Sequence, residues 1–448
     1  MKSTTISPLL LMLTILMTTS IQSGVEDRGK YPYDSFEKPQ VCQSCHTDIY
    51  MQWTQSMMSQ AYTHHWDEIE YFDLAVAHAQ KVPSLKEPVD GCNGCHAPLA
   101  FLAGDLTPPP PAAGSRANES VSCDLCHTIS AIQTVDQTPF NFSYVPSPGR
   151  TKYGSKPGLV SPHHVTKNLD IYAQAEFCGS CHNEKNPFGI WVKSTQIEWL
   201  EGPYSKQNVP CHQCHMPKAW GQNAKMAQED MVAQHLFHGA HDPGKVAGAI
   251  EIRMHPEERE VEIDGTAVIK VQLFNGKAGH KIPTGSVEDR ILWLDVTAID
   301  EEGKTYHLPV DQKGFEGEEY TIGSTALAYV DMGLPKGIDN FQGVPRDGIP
   351  VGDRIFRMPY FDDQGIMTIM QWNTAKLGVD YRIGPRETKI ESYTWTLPDD
   401  VAVGKVIIKA QLNYQKLVKP VADFLHVPED ESEIMIINKA DTWIEVYE

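Results

Sequence analysis

Ten cysteines in this 448-residue chain fall, with none left over, into five C-x-x-C-H units. They are Cys42-Cys45-His46, Cys92-Cys95-His96, Cys123-Cys126-His127, Cys178-Cys181-His182 and Cys211-Cys214-His215. Composition alone would supply about 0.009 such units, so the spacing is not an accident. Two cysteines three residues apart can each form a thioether with one vinyl group of the same porphyrin, and the next histidine then lies beneath the iron. C-x-x-C-H is therefore the attachment signal of c-type haem, and five units predict five covalently bound haem c groups. Disulfides would need no such spacing. A zinc site would close with four Cys/His ligands from paired motifs, and a thiol redox pair has no use for the trailing histidine.

The units crowd into residues 42–215, too short a stretch to keep five porphyrins apart. The groups must touch or stack into a continuous electron path and replace much of the ordinary apolar core. Short helices and long loops are expected around them. The clearest helix follows the first unit, with Ile49, Trp53 and Met57 at i, i+4 and i+8.

Eighteen histidines leave thirteen beyond the proximal five. A low-spin electron carrier needs a second strong ligand on each iron, whereas a catalytic iron keeps that position open. The candidates are His78 on an apolar helical stretch, His164 of the His163-His164 pair, His235 and His241 in the crowded segment 235–241, and His280 in a tight turn between strands. His64, His65, His255, His307 and His426 are expected at the surface.

The N-terminus, with Lys2 followed by the apolar run Leu9 to Met17 and then small polar residues, is expected to be a signal peptide over 1–23. Export to the periplasm or the cell exterior follows. A surplus of acidic residues, 58 Asp+Glu against 38 Lys+Arg, gives a formal charge of −20. No basic footprint for nucleic acid is present, while docking on basic protein partners stays open.

Beyond residue 249 there are no cysteines, and the periodicity becomes that of strands. Alternation over 261–274, 290–299, 391–397, 405–417 and 434–447, with Asp-Gly and Gly-rich breaks, suits an antiparallel sandwich of Ig-like size. Residues 311–390 are richer in Gly, Pro and Asp and are expected to form long loops with few strands. The fold class is α+β: a mostly helical and loop region over 24–249, then a β-sandwich over 250–448. Nothing in the second region reads as a triad, phosphate loop or metal-ligand cluster, so scaffolding and docking are its expected roles.

The motifs in this order resemble the exported multihaem c-type cytochromes of the cytochrome c-552/c-554-like group. The similar stretches are QSCHTDIYMQWTQSMMSQA, DGCNGCHAPLA, VSCDLCHTI, EFCGSCHN with QIEWLEGPY, and PCHQCHMP leading to HLFHGAHD. The resemblance implies electron transfer with other cytochromes or a membrane oxidoreductase complex as partners. It also implies that His235 and His241 are ligands and, through the GHKIPTG-like turn, that His280 fastens the two regions together. Where such proteins often read W-x-x-S-x-H after the first unit, Met58 stands in place of the histidine. That implies a His/Met iron, a vacant site, or helix packing with His64 or His65 supplying the bond. Three functional readings follow: an electron relay, an oxidoreductase with one open iron acting on a small nitrogen or sulfur compound, and a self-associating filament subunit.

Overall fold

The computed structural model describes residues 27–313, 319–320, 325–328 and 349–448. The expected signal peptide, 1–23, lies outside them. No helix among the described residues is long and apolar enough to cross a membrane.

The cysteine-bearing region is built of short helices and two-stranded ribbons. Each C-x-x-C-H unit forms a helical turn: within or just after Pro39–Gln43, then in Lys86–His96, Cys123–His127, Ala175–His182 and Cys211–His215. A helical turn is what the spacing requires, because residues i, i+3 and i+4 share one face. Local chemistry starts these turns. Pro39 occupies the first turn of its helix, and the Ser122 hydroxyl accepts from the Leu125 amide before the third unit. The helix after the first unit runs only over Thr47–Thr54. Ile49 and Trp53 lie on it, but Ser56 turns extended and Met57 starts a separate 3₁₀ turn, Met57–Gln60. All ten cysteines are free of disulfides. Side-chain apolar clusters are small in this region, the largest joining Phe36, Leu99, Phe101, Leu102, Leu125 and Tyr144 with a few neighbours.

The second region is a two-sheet sandwich. Its principal strands are β1 (Glu251–Pro256), β2 (Glu260–Glu262), β3 (Thr266–Phe274), β4 (Ile291–Ile299), β5 (Thr305–His307), β6 (Arg354–Phe356), β7 (Thr388–Thr396), β8 (Gly404–Gln415) and β9 (Met435–Tyr447). One sheet runs β2-β9-β8-β4, with β5 and β6 both on the far edge of β4; the other runs β7-β3-β1. All pairings are antiparallel except β2 with β9. Strict alternation on β4 sends Leu292, Leu294, Val296 and Ala298 into the core, where they meet Ile269, Val271 and Leu273 of β3 and Val406, Ile408 and Leu412 of β8.

Side-chain bonds join the two regions. Arg382 Nη1 donates to Glu198 Oε1 at 2.7 Å with both side chains buried, Tyr204 donates to Gly276 O at 2.8 Å, and Asn186 donates to the carbonyls of Gln371 and Thr374.

Candidate functional site

A connected cavity of about 2020 Å³ runs through the first region and reaches the sandwich. The second to fifth C-x-x-C-H units line it, as do His235, His241, His280, Met57 and Met58.

Three histidine pairs define the site. His46 faces His164, His127 faces His235, and His215 faces His280, each with ring centroids 6.3 Å apart. An imidazole nitrogen bonds a first-row metal at about 2.0–2.1 Å and lies roughly 1.1 Å from its ring centre. Two rings on opposite sides of one metal therefore have centroids about 6.2–6.4 Å apart. Each pair joins a C-x-x-C-H histidine to one of the candidates distant in sequence, at the separation that an axially ligated iron needs.

The outer hydrogen bonds are consistent with this. Nδ1 of His96, His127, His215, His235 and His280 faces the carbonyl oxygen of Ala61, Tyr153, His238, Ala233 and Lys281 respectively, at 2.7–3.0 Å. His46 Nδ1 likewise meets Asn223 O. A carbonyl only accepts, so Nδ1 carries the proton and Nε2 keeps its lone pair for a metal. Burial pushes His215 and His235 down to about 4, so both are neutral. The residues present fit haem c with histidine on both sides of the iron.

The remaining candidates are placed differently. His78 Nδ1 accepts from Trp372 Nε1 at 3.1 Å, which puts the proton of a neutral His78 on Nε2, the opposite tautomer. His241 stacks on Trp66 with centroids 5.4 Å apart, and burial pushes it down to about 3. Met58 lines the cavity, its carbonyl accepting from Val121 N just before the third unit. Among the described residues no histidine ring faces His96 or His182 as in the three pairs. Sequence reasoning placed His64 at the surface, yet it is 7% exposed and bridges Asp67 and Glu431. Its partner Glu431 lies far along the chain, so no local pattern marked it.

The cysteines show how the units adjoin. Side-chain interactions pair Cys42 with Cys123, Cys95 with Cys181, and Cys178 with Cys211. Cys126 lies in the field of Cys181, and Cys178 in that of Cys126. The fourth unit thus adjoins the second and the fifth, and the first adjoins the third. Burial pushes the Cys92 and Cys126 thiols up to about 12, which makes them poor thiolates for redox exchange.

Comparison with known proteins bears on the family likeness and the fold. Residues 41–128 match the family described as cytochrome c554 and c-prime. That stretch, which holds the first three C-x-x-C-H units, is similar to the family. The fold is similar to the crystal structure of a penta-heme cytochrome c552 from Thermochromatium tepidum, with a TM-score of 0.64, 19% identity, and coverage of 92% of this chain and 100% of that one. That likeness spans both the cysteine-bearing region and most of the sandwich. The CARDB domain of a Pyrococcus furiosus protein, in complex with di-metal ions, aligns at a TM-score of 0.18, with 10% identity over 44% of this chain and 87% of that one. So low a score carries no argument. No curated protein matches the chain.

Proposed function

We propose that this chain is an exported electron-transfer protein holding five haem c groups, which relays electrons between redox proteins such as other cytochromes or a membrane oxidoreductase complex. The observation that carries this reading is the set of three histidine pairs at 6.3 Å, each anchored by a C-x-x-C-H unit. When bound, haem iron supplies one-electron exchange between its ferric and ferrous states. The chain does the rest. The ten cysteines would tether the groups, the five C-x-x-C-H histidines would each ligate one iron, and His164, His235 and His280 would each supply a second ligand. Backbone carbonyls hold the tautomers of His46, His96, His127, His215, His235 and His280, and burial keeps His215 and His235 neutral. In this reading residues 1–23 are a signal peptide, 24–249 the haem-bearing domain and 250–448 a sandwich that lends His280 as a ligand and offers a docking face.

A second reading rests on His96 and His182, which no histidine ring faces among the described residues. His78, His241 and Met58 are the ligands proposed from sequence for such irons, and an iron left without one would be open to a small nitrogen or sulfur compound. Electron paramagnetic resonance of the oxidised holoprotein, with a pyridine haemochrome count, separates the readings. The relay predicts five haems per chain, of which at least three are low-spin with histidine on both sides. A high-spin signal equal to one haem moves the assignment to an oxidoreductase, and fewer than three bis-histidine signals would overturn the pairing. In the His280→Ala variant one low-spin signal, that of the fifth unit, should become high-spin while the haem count stays unchanged.

A further inference from the structure

The sandwich contains a polar constellation that electron relay does not use. β6 pairs with β4 through Leu294 and Arg354, and continuing this antiparallel register sets Asp353 directly across from Asp295. β5 pairs with the same edge of β4 further along, with His307 opposite Thr297, one same-face step from Asp295. Asp295, His307 and Asp353 therefore converge where β5 and β6 meet along β4, and one donor atom from each lies within 4.8 Å of the other two.

Like charges directly opposite each other on neighbouring strands destabilise a sheet, and burial magnifies the cost. Asp353 is 0% exposed. His307 Nε2 donates to its Oδ1 at 2.7 Å, but Asp353 Oδ2 and Asp295 Oδ1 are buried with no hydrogen-bond partner among the described residues. Such orphaned oxygens are rare in native proteins and call for a missing partner. Burial pushes the Asp353 carboxyl up to about 6 and raises that of Asp295, as befits two carboxylates with one imidazole between them.

We propose that Asp295, His307 and Asp353 form a binding site for one divalent transition-metal cation of the Zn²⁺ type. One imidazole and two carboxylates are a donor set that first-row divalent ions accept, and three protein ligands leave further positions to water. The cation neutralises the facing carboxylates, satisfies both orphaned oxygens, and takes the lone pair that His307 Nε2 offers once its proton leaves. It also ties β5 and β6 to β4 at the edge of the larger sheet. The other histidine-carboxylate cluster, His64, His65 and Glu431, makes a weaker case. There Glu431 is already paired with Lys416 at 2.8 Å and His64 with Asp67 at 3.2 Å.

The test uses the full-length, haem-loaded protein, stripped of loosely held metal with a chelator and then titrated with Zn²⁺ under calorimetry, with elemental analysis for bound zinc. One equivalent should bind per chain at micromolar or tighter Kd, and the midpoint of thermal unfolding should rise. Asp295→Asn and His307→Ala should each weaken binding at least tenfold while leaving the haem count and visible spectrum unchanged. Both residues are less buried than Asp353, so these variants keep the fold where Asp353→Asn risks losing it. Zinc uptake undiminished in both variants would place the ion elsewhere and overturn the proposal, as would no binding at millimolar Zn²⁺.

Discussion

The two regions of this molecule solve the burial problem in opposite ways. In the sandwich, alternation on β3, β4, β8 and β9 brings side chains of both sheets into one continuous apolar core. In the cysteine-bearing region the apolar clusters are small and scattered, and much of the interior is a cavity whose lining includes cysteines and histidines of the C-x-x-C-H units. One region carries its core in its sequence; the other carries only the attachment points of a core. The difference should appear first in the absence of haem attachment. Chain produced without haem should lose amide protection against hydrogen exchange across most of residues 27–249, while β3, β4, β8 and β9 stay protected. Equal protection in both regions would end the contrast.

That difference also explains what was legible in the sequence. The five attachment units could be read completely, because their chemistry is local and fixed at i, i+3 and i+4. The long strands could be read from period-2 alternation, with one correction. The run Val261 to Phe274 is not one strand, since a turn at Asp264 (φ 63°) and Gly265 separates β2 from β3. A side chain at Gly265 would place its Cβ 2.6 Å from Glu262 O, so that turn needs glycine. Strands β1 and β5 escaped notice because Glu251–Pro256 ends in His-Pro and Thr305–His307 is only three residues long. Which distant histidine faces each C-x-x-C-H histidine was not legible at all. His46 meets His164, and His215 meets His280, only after the chain has closed over long separations. The same holds for Asp295, His307 and Asp353, which sit together through strand register alone.

Within the sandwich, the next largest effect concerns a charge buried between the sheets. Arg354, 0% exposed, donates from Nε to Glu391 Oε1 at 2.8 Å, linking β6 to β7, and its guanidinium lies over the rings of Tyr320, Phe356 and Tyr381. Removing Arg354 takes the guanidinium away from the buried Glu391 carboxylate in a dry core. Arg354→Met should therefore cost about 3–5 kcal/mol in urea unfolding of the sandwich transition, while adding Glu391→Met should recover much of that loss. If the single variant costs no more than an exposed ion pair, the sandwich interior is wetter than its packing implies.

The smallest effect lies at the seam between the two regions, where His64 bridges Asp67 and Glu431, and Lys416 holds the other oxygen of Glu431. Burial opposes a charge on His64, yet the two carboxylates outweigh it and raise His64 to about 9. Burial likewise opposes ionisation of Glu431, but its His64 and Lys416 partners bring it down to about 2. The signs are opposite. A raised histidine gives stability that is complete below its unfolded value near 6.5 and fades as pH climbs through about 9. A depressed carboxylate gives stability that is complete above its ordinary value near 4.5 and fades as pH falls through about 2. The seam should be tightest between about pH 4.5 and 6.5, and loosening it should cost about 1–2 kcal/mol, in the range of a charged hydrogen bond discounted for partial exposure. Glu431→Gln should flatten the fall in stability between pH 6.5 and 9 without changing the haem count. Lys419→Gln, which removes an exposed pair with Asp423 on a nearby helix, should leave that pH profile intact. If both variants behave alike, the seam is held by the His215–His280 pair and the Arg382–Glu198 bond, and the histidine bridge contributes nothing measurable.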